Sequence, residues 1–291
     1  MEMISIDEGR CTLCALCIPV CVRRILEERE GTVKVTDSTL CIQCGHCKAI
    51  CPEDAPQLPF LNTEEFVPVH LQEDIPKPGQ LMGFFRARRT IRIFKWKIPK
   101  KETLKKIIQA GRFAPTGANR QGLQYVVLHR AESIQTIRGM AIEALLKLAQ
   151  KIENATAKAQ KTGETLPLKY QLMQFYPTVW RNLADLNKQG IDKLFYHAPA
   201  LIIGHFNPSE SVTPNMDPGL SAMQMLLMAE ALELGTCLSG FTVFALEESS
   251  ELRKTVQIPE GHQVPFAFML GYPDVTFDRL VSRNPARVKW L

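Results

Sequence analysis

Eight of the nine cysteines in this 291-residue chain fall in two near-copies of one spacing, C-x2-C-x2-C-x3-C: Cys11, Cys14, Cys17 and Cys21, then Cys41, Cys44, Cys47 and Cys51. A four-iron, four-sulfide cube needs four thiolates at tetrahedral corners. A run with two-residue gaps offers three of them, while its fourth cysteine points to the neighbouring cube. The spacing therefore predicts two [4Fe-4S] clusters that exchange their last ligand. Cys11, Cys14, Cys17 and Cys51 surround one, and Cys41, Cys44, Cys47 and Cys21 the other. Structural zinc takes ligands two plus two and would leave thiols over in each quartet. A disulfide scaffold is disfavoured because the remaining chain is long enough for its own core and carries only Cys237, so the compartment is expected to be reducing.

The frame for those ligands is short. Residues 1–58 read as the cluster domain, and residues 59–80, with Pro59, Pro68, Pro76 and Pro78, read as an extended linker, since proline fixes backbone angles and removes donors. Residues 81–291 are ample for a second, larger core. The formal charge of +5 falls to about +1 once each oxidised cluster with its thiolates adds about −2, which argues against a nucleic-acid partner. No stretch approaches the roughly twenty uninterrupted apolar residues of a membrane span. The first residues show neither a basic region nor an apolar signal core, and the expected location is the cytoplasm.

In the larger region Leu104, Ile107, Ile108 and Gly111 stand at helical spacing, and Tyr125 to Leu128 reads as a short buried strand. From Glu132, a stripe through Ile134, Ile137, Ala141, Leu145, Leu148 and Ile152 predicts a long amphipathic helix. Residues 154–187 are polar and irregular in pattern and read as a variable helical excursion carrying Phe175, Tyr176 and Trp180, aromatics equally suited to core or to a roof over a pocket. Pro199 to Gly204 suits an interior strand. Asp217 and Pro218 signal a helix start, and Gly235 a stop. Cys237–Val243 and Val264–Leu270 are further strand candidates, with a turn at Gly271, Tyr272 and Pro273. The expected class is α+β, with helices flanking a central mixed sheet.

A second chemistry lies in Arg88, Arg89, Thr90 and Arg92, three guanidinium groups and a hydroxyl able to clasp a phosphate. They are followed by the loop Ala114-Pro115-Thr116-Gly117-Ala118-Asn119-Arg120-Gln121, rich in short polar groups and accessible backbone. Together these stretches resemble the flavin mononucleotide (FMN) enzymes of the nitroreductase family, with their Arg-Arg-Ser-x-Arg and Ala-Pro-Ser-x-x-Asn-x-Gln motifs. HAPALIIG (197–204), AEALELGTCLSGF (229–241), LGYP (270–273) and RNPAR (283–287) extend the likeness. The cysteine region resembles bacterial ferredoxins: Pro52 follows Cys51 as that pattern expects, whereas Val22 replaces the first proline. The whole chain is similar to ferredoxin–nitroreductase fusions.

That resemblance implies that Arg88, Arg89, Thr90, Arg92 and Arg283 hold the FMN phosphate and ribityl chain. Pro115, Thr116, Gly117 and Asn119 would line the ring across a homodimer interface, and backbone amides near Ser239 and Gly240 would face the reactive nitrogen; no side-chain catalyst is implied. Gln121, Phe175, Tyr176 and Trp180 are the candidate substrate contacts. Gly122 and Leu123 depart from the family's Pro-aromatic pair, which leaves that edge of the pocket open. Cys237 is read as a small buried hydrophobe. The implied activity is an oxidoreductase passing electrons from ferredoxin or NAD(P)H through two clusters and FMN to a nitroaromatic, quinone or related electrophile. The alternatives are a relay without small-molecule turnover, or a reductive dehalogenase or flavin-modifying enzyme.

Overall fold

The structure, a computed structural model, describes residues 2–291, with the backbone alone for residues 71 and 72. The chain forms two compact units: residues 1–77 with 117–120, and residues 78–116 with 121–291.

In the first unit β1 (Ser5–Ile6) precedes α1 (Cys17–Val20), the hairpin β2 (Leu26–Arg29) and β3 (Thr32–Val35), α2 (His46–Ile50) and β4 (Pro56–Gln57). β1 and β4 pair antiparallel, closing the module on itself. The hairpin turns through Glu30 (φ 51°) and Gly31 (φ 70°), the consecutive left-handed pair that a two-residue connection requires. The two cysteine repeats share more than spacing. Leu13 and Gln43, Ala15 and Gly45, Arg24 and Asp54 all have positive φ, each pair standing at the same place in its repeat. A left-handed non-glycine residue costs roughly 1–2 kcal/mol, and such strain persists where the surroundings over-determine it. Ile4, Ile25, Leu26, Val33 and Leu58 form a small core with Cys17 and Cys47. The proline-rich stretch expected as an extended linker instead carries a 3-10 turn (Thr63–Glu65) and the one-turn helix α3 (Leu71–Asp74).

The larger unit opens with α4 (Pro78–Ala87) and α5 (Lys101–Arg112), then β5 (Gln124–Leu128), α6 (Ala131–Thr162), α7 (Leu168–Gln171) and α8 (Tyr176–Lys188). β6 (Ala200–Phe206), α9 (Asp217–Ala231), β7 (Gly235–Leu238), α10 (Gly240–Glu248), α11 (Ser250–Thr255) and β8 (Gln263–Gly271) complete it. The sheet order is β5-β6-β8-β7, with every neighbouring pair antiparallel. A parallel bridge from Thr90 to Thr236 adds the mixed element at the β7 edge.

Alternation along the strands divides two cores. Leu201, Ile203, Ala267 and Met269 face α6, α8, α10 and α11, while Ala200, Ile202, Phe266, Phe268 and Leu270 face α5 and α9. The result is a helix–sheet–helix sandwich around β6, buried along its whole length.

Three boundaries differ from the sequence expectation. α6 continues to Thr162 and caps on Gly163 in the left-handed region, φ 73°, because Ala155, Ala157 and Ala159 sustain helix where no apolar stripe does. The strand expected over residues 237–243 stops at Leu238, and residues 240–243 begin α10. α9 ends at Ala231, its reversal taken by Glu233 at φ 59°, so Gly235 begins a strand. There a Cβ would stand 2.5 Å from Ile91 Cγ1. Asp217 begins α9, but its carboxylate accepts hydrogen bonds from the Ser211 and Thr213 hydroxyls.

Candidate functional site

Cys11, Cys14, Cys17 and Cys51 line one small cavity, and Cys21, Cys41, Cys44 and Cys47 line another. Each fourth cysteine thus lies with the opposite repeat, because α1 and α2 carry Cys21 and Cys51 across the module. Burial pushes the Cys47 thiol up to about 11, with the charges of Cys44 and Cys41 adding to the rise, and burial raises Cys17 and Cys41 as well. Thiols held that high give up their protons readily only to a strong positive centre such as cluster iron. Backbone N–H groups of Gln43 and Ala55 already point at the sulfurs of Cys41 and Cys51, both at 3.4 Å. Soft thiolate donors in two sets of four, with amides aimed at sulfur, fit iron–sulfur clusters.

In the larger unit, Arg88 closes onto the end of α4, its N–H donating to the Phe84 carbonyl at 3.3 Å, and Thr90 bridges in parallel to Thr236 of β7. The Ile91 N–H donates to the Thr236 carbonyl at 2.9 Å. Arg88 lies close enough to Glu230 for its charge to oppose the rise that burial gives that carboxyl. Arg89 and Ile91 line a cavity of about 360 Å³ with Glu230, Pro273 and Phe277, which Arg88, Thr90 and Arg92 do not line. Arg89 stacks over Phe277 at 5.6 Å, and its Nε is buried without a hydrogen-bond partner among the described residues. Arg92 lies over Tyr196 at 5.7 Å. Burial raises the Cys237 thiol, and Arg92, within hydrogen-bonding reach of the sulfur, opposes that rise. Sequence reasoning did not connect Cys237 with Arg92; only the pairing of this run with β7 brings them together.

Where β7 meets α10, the Ser239 N–H is already committed to the Ala267 carbonyl at 2.8 Å, and its hydroxyl meets Thr242 at 2.7 Å. Gly240, the exposed first residue of α10, lacks a preceding turn to accept its N–H. Of the two expected amides, Gly240 supplies the available one. Ser239 and Gly240 border an open cavity of about 950 Å³, together with Leu238, Val243, Pro218 and Met223. A guanidinium strand, a free helix N-terminus and a broad apolar hollow along one sheet edge suit a phosphate-bearing, flat ligand such as FMN.

The remaining expected residues are distributed as follows. Thr116 Oγ accepts the Gln121 N–H at 3.0 Å, and Pro115 and Gln121 are exposed. Gly117 and Asn119 group with the first unit, where the Asn119 amide donates to the carbonyls of Gln43 (2.7 Å) and Ile42 (3.1 Å). Arg283 lies on the exposed C-terminal tail and donates to the Ser282 carbonyl at 3.2 Å. Phe175 is 61% exposed and Trp180 0%, so Trp180 is core. Tyr176 stacks on Trp180 at 5.5 Å and meets Phe241 edge-on at 5.4 Å, tying α8 to α10.

The loop leading to β6 is held by a group the sequence did not reveal. The Asp192 carboxylate is 1% exposed, pairs with Arg138 at 3.0 Å and accepts N–H groups of Leu194, Phe195 and His197. Burial alone would raise this carboxyl, but those amides and Arg138 outweigh it and hold it below its ordinary value.

Fold and site together define an FMN-dependent oxidoreductase joined to an iron–sulfur module. Residues 85–272 match the family model of the nitroreductases, and residues 3–59 match that of a 4Fe-4S dicluster domain. The chain belongs to the nitroreductase family. Among solved structures it is similar in fold to a nitroreductase with bound FMN from Desulfitobacterium hafniense DCB-2, at 22% identity and TM-score 0.51, covering 72% of this chain and 98% of that one. It is likewise similar to an iodotyrosine deiodinase bound to FMN and 3-iodo-L-tyrosine, at 19% identity and TM-score 0.51, covering 72% of this chain and 98% of that one. Comparison with curated proteins gives no match.

Proposed function

We propose that this chain takes electrons from an external low-potential donor, ferredoxin or NAD(P)H, and delivers them to a nitroaromatic, a quinone or a related conjugated electrophile. The reading is carried by two features of a single chain: two cysteine quartets around separate cavities, and an arginine-rich run bridged to β7, the strand that leads into α10. Two [4Fe-4S] clusters and FMN, when bound, supply one-electron storage and its conversion to two-electron reduction. The protein's part is to hold and to polarise. Arg88, Thr90 and Arg92 clasp the phosphate and ribityl chain, with Arg283 joining from the tail, while the charge-assisted bonds fix the ligand's register. The Gly240 N–H stabilises electron density on the ring edge.

In a homodimer, Pro115, Thr116, Gly117 and Asn119 of one subunit line the ring held by the other. Gln121, Phe175 and Tyr176 meet the substrate, and Trp180 sets the position of Tyr176 from beneath. The chemistry belongs to a reducing compartment, the cytoplasm, and no helix among the described residues is long and apolar enough to cross a membrane.

The test is anoxic stopped-flow reduction by ferredoxin, NADH and NADPH, with cluster and flavin bands followed separately. Turnover is then measured against nitroaromatics, quinones and halophenols. Prompt reoxidation by a nitroaromatic or quinone is expected. Reoxidation by a protein acceptor alone would replace the enzyme with a relay, and halide release with a dehalogenase.

A further inference from the structure

Charge is divided unevenly along the chain. Residues 1–77 hold seven Lys and Arg against thirteen Asp and Glu, a net −6, so the remainder carries +11 of the total of +5. Much of the excess lies between Arg92 and Arg112, where eight basic residues accompany one acid, Glu102. Lys95, Lys97, Lys100, Lys101, Lys105 and Lys106 are all exposed. None of the six forms a salt bridge among the described residues.

Part of this surface is an ordered assembly of cations and rings. Trp96, 88% exposed, stands 5.6 Å from the His197 ring. Lys97 lies over Tyr272 at 4.3 Å, and Lys193 over Tyr196 at 6.0 Å. The backbone beneath is pinned, because the Lys95 N–H donates to the Tyr272 carbonyl at 2.9 Å. Asp274, an exposed acid next to Pro273, is tied to this run by its N–H, bonded to the Ile93 carbonyl at 3.0 Å. Preorganised cations around a large exposed aromatic are the equipment of a protein-docking site: the charges steer approach and the ring anchors the encounter.

We propose that the face formed by Lys95, Trp96, Lys97, Lys193 and His197 is the landing site for a small acidic one-electron carrier protein. The proposal rests on the oxidoreductase reading above, which needs an external electron source. Charge complementarity selects the occupant. An acidic carrier is repelled by the net −6 of residues 1–77 and drawn to the +11 of the rest. An anionic membrane is the poorer fit, since Lys95, Trp96, Lys97, Lys193 and His197 all lie outside helices, whereas binding in a membrane surface is the work of an amphipathic helix. On docking, one electron leaves the carrier's reduced centre and enters this chain's cofactors, and no proton or group moves with it.

The probe is a free bacterial two-cluster ferredoxin, added anoxically to the full-length holoprotein. Association is followed against salt for wild type, for Lys95→Glu/Lys97→Glu/Lys193→Glu, and for a charge-matched control, Lys147→Glu/Lys161→Glu/Lys254→Glu, on exposed positions elsewhere. The face variant is expected to associate at least tenfold more slowly at low salt, and Trp96→Ala to dissociate about tenfold faster, while the control changes less than threefold. Flavin content and dye-linked turnover report on the cofactor reading separately. Intact flavin and turnover with no ferredoxin binding, or equal losses in the face and control variants, overturn the docking site and leave the oxidoreductase standing. Lysine-dependent binding to phosphatidylserine vesicles in place of ferredoxin overturns it in favour of a membrane.

Discussion

Gly235→Ala tests whether close packing holds the arginine strand in register. Gly235 opens β7 beside Ile91, and an added methyl would lie 2.5 Å from Ile91 Cγ1, 2.7 Å from its Cβ and 2.9 Å from its Cγ2. Rotating the Ile91 side chain leaves the Cβ clash, so the backbone of residues 88–92 must move. Overpacking of this kind costs about 1–3 kcal/mol. Lengthening the bond from the Ile91 N–H to the Thr236 carbonyl, now 2.9 Å, adds about 0.5–1.5 kcal/mol. In a unit of this size each kcal/mol lowers Tm by about 2–4 °C, so the fall should be roughly 5–15 °C. Thr90 and Arg92 flank the displaced residue, and misaligning one charge-assisted bond worth about 1.5–3 kcal/mol raises the Kd for FMN roughly 10- to 100-fold. Fluorescence titration of apoprotein with FMN, well below the variant's Tm and paired with scanning calorimetry, measures both. A folded variant that binds FMN within twofold of wild type would refute the link between Gly235 and the cradle.

Three further outcomes follow from the site. Arg88→Ala and Arg92→Ala should each weaken FMN binding about 10- to 100-fold, whereas Arg89→Ala, in the cavity over Phe277, should change it less than fivefold; equal losses at all three would mean that the stacking of Arg89 on Phe277 does not set it apart. Cys51→Ser should remove the cluster expected at Cys11, Cys14 and Cys17, halving iron from roughly eight to roughly four per chain with one paramagnetic signal kept, and loss of only the signal expected for the Cys41 quartet would reverse the assignment. Asp192→Ala should cost about 3–5 kcal/mol at neutral pH by stranding Arg138. The lowered carboxyl of Asp192 contributes stability above the ordinary value of about 3.9, lost as pH falls through the folded value. Wild type should therefore lose this contribution below about pH 4 in denaturant titrations and the variant should not, while parallel pH profiles would exclude the linkage.

The cysteine spacing alone grouped the thiols into the two quartets that line separate cavities, because a C-x2-C-x2-C run holds its first three cysteines close together whatever the rest of the chain does. Helical periodicity likewise located α5 and the apolar part of α6, since a stripe at 3.6-residue spacing needs no knowledge of its partner, and the Asp217–Pro218 start signal located α9. What a residue faces was decided elsewhere. Arg88, Arg89 and Arg92 look equivalent in sequence, and only the tertiary structure sets Arg89 over Phe277 and Arg92 over Tyr196. Ser239 and Gly240 look equally able to offer an amide, until the Ser239 N–H is found spent on Ala267. Trp180 could have roofed a pocket, and packing against Phe241 and Phe244 made it core. Side-chain type and short-range spacing carry chemistry, whereas exposure and hydrogen-bond availability depend on strands and helices distant in sequence, and only tertiary packing supplies those.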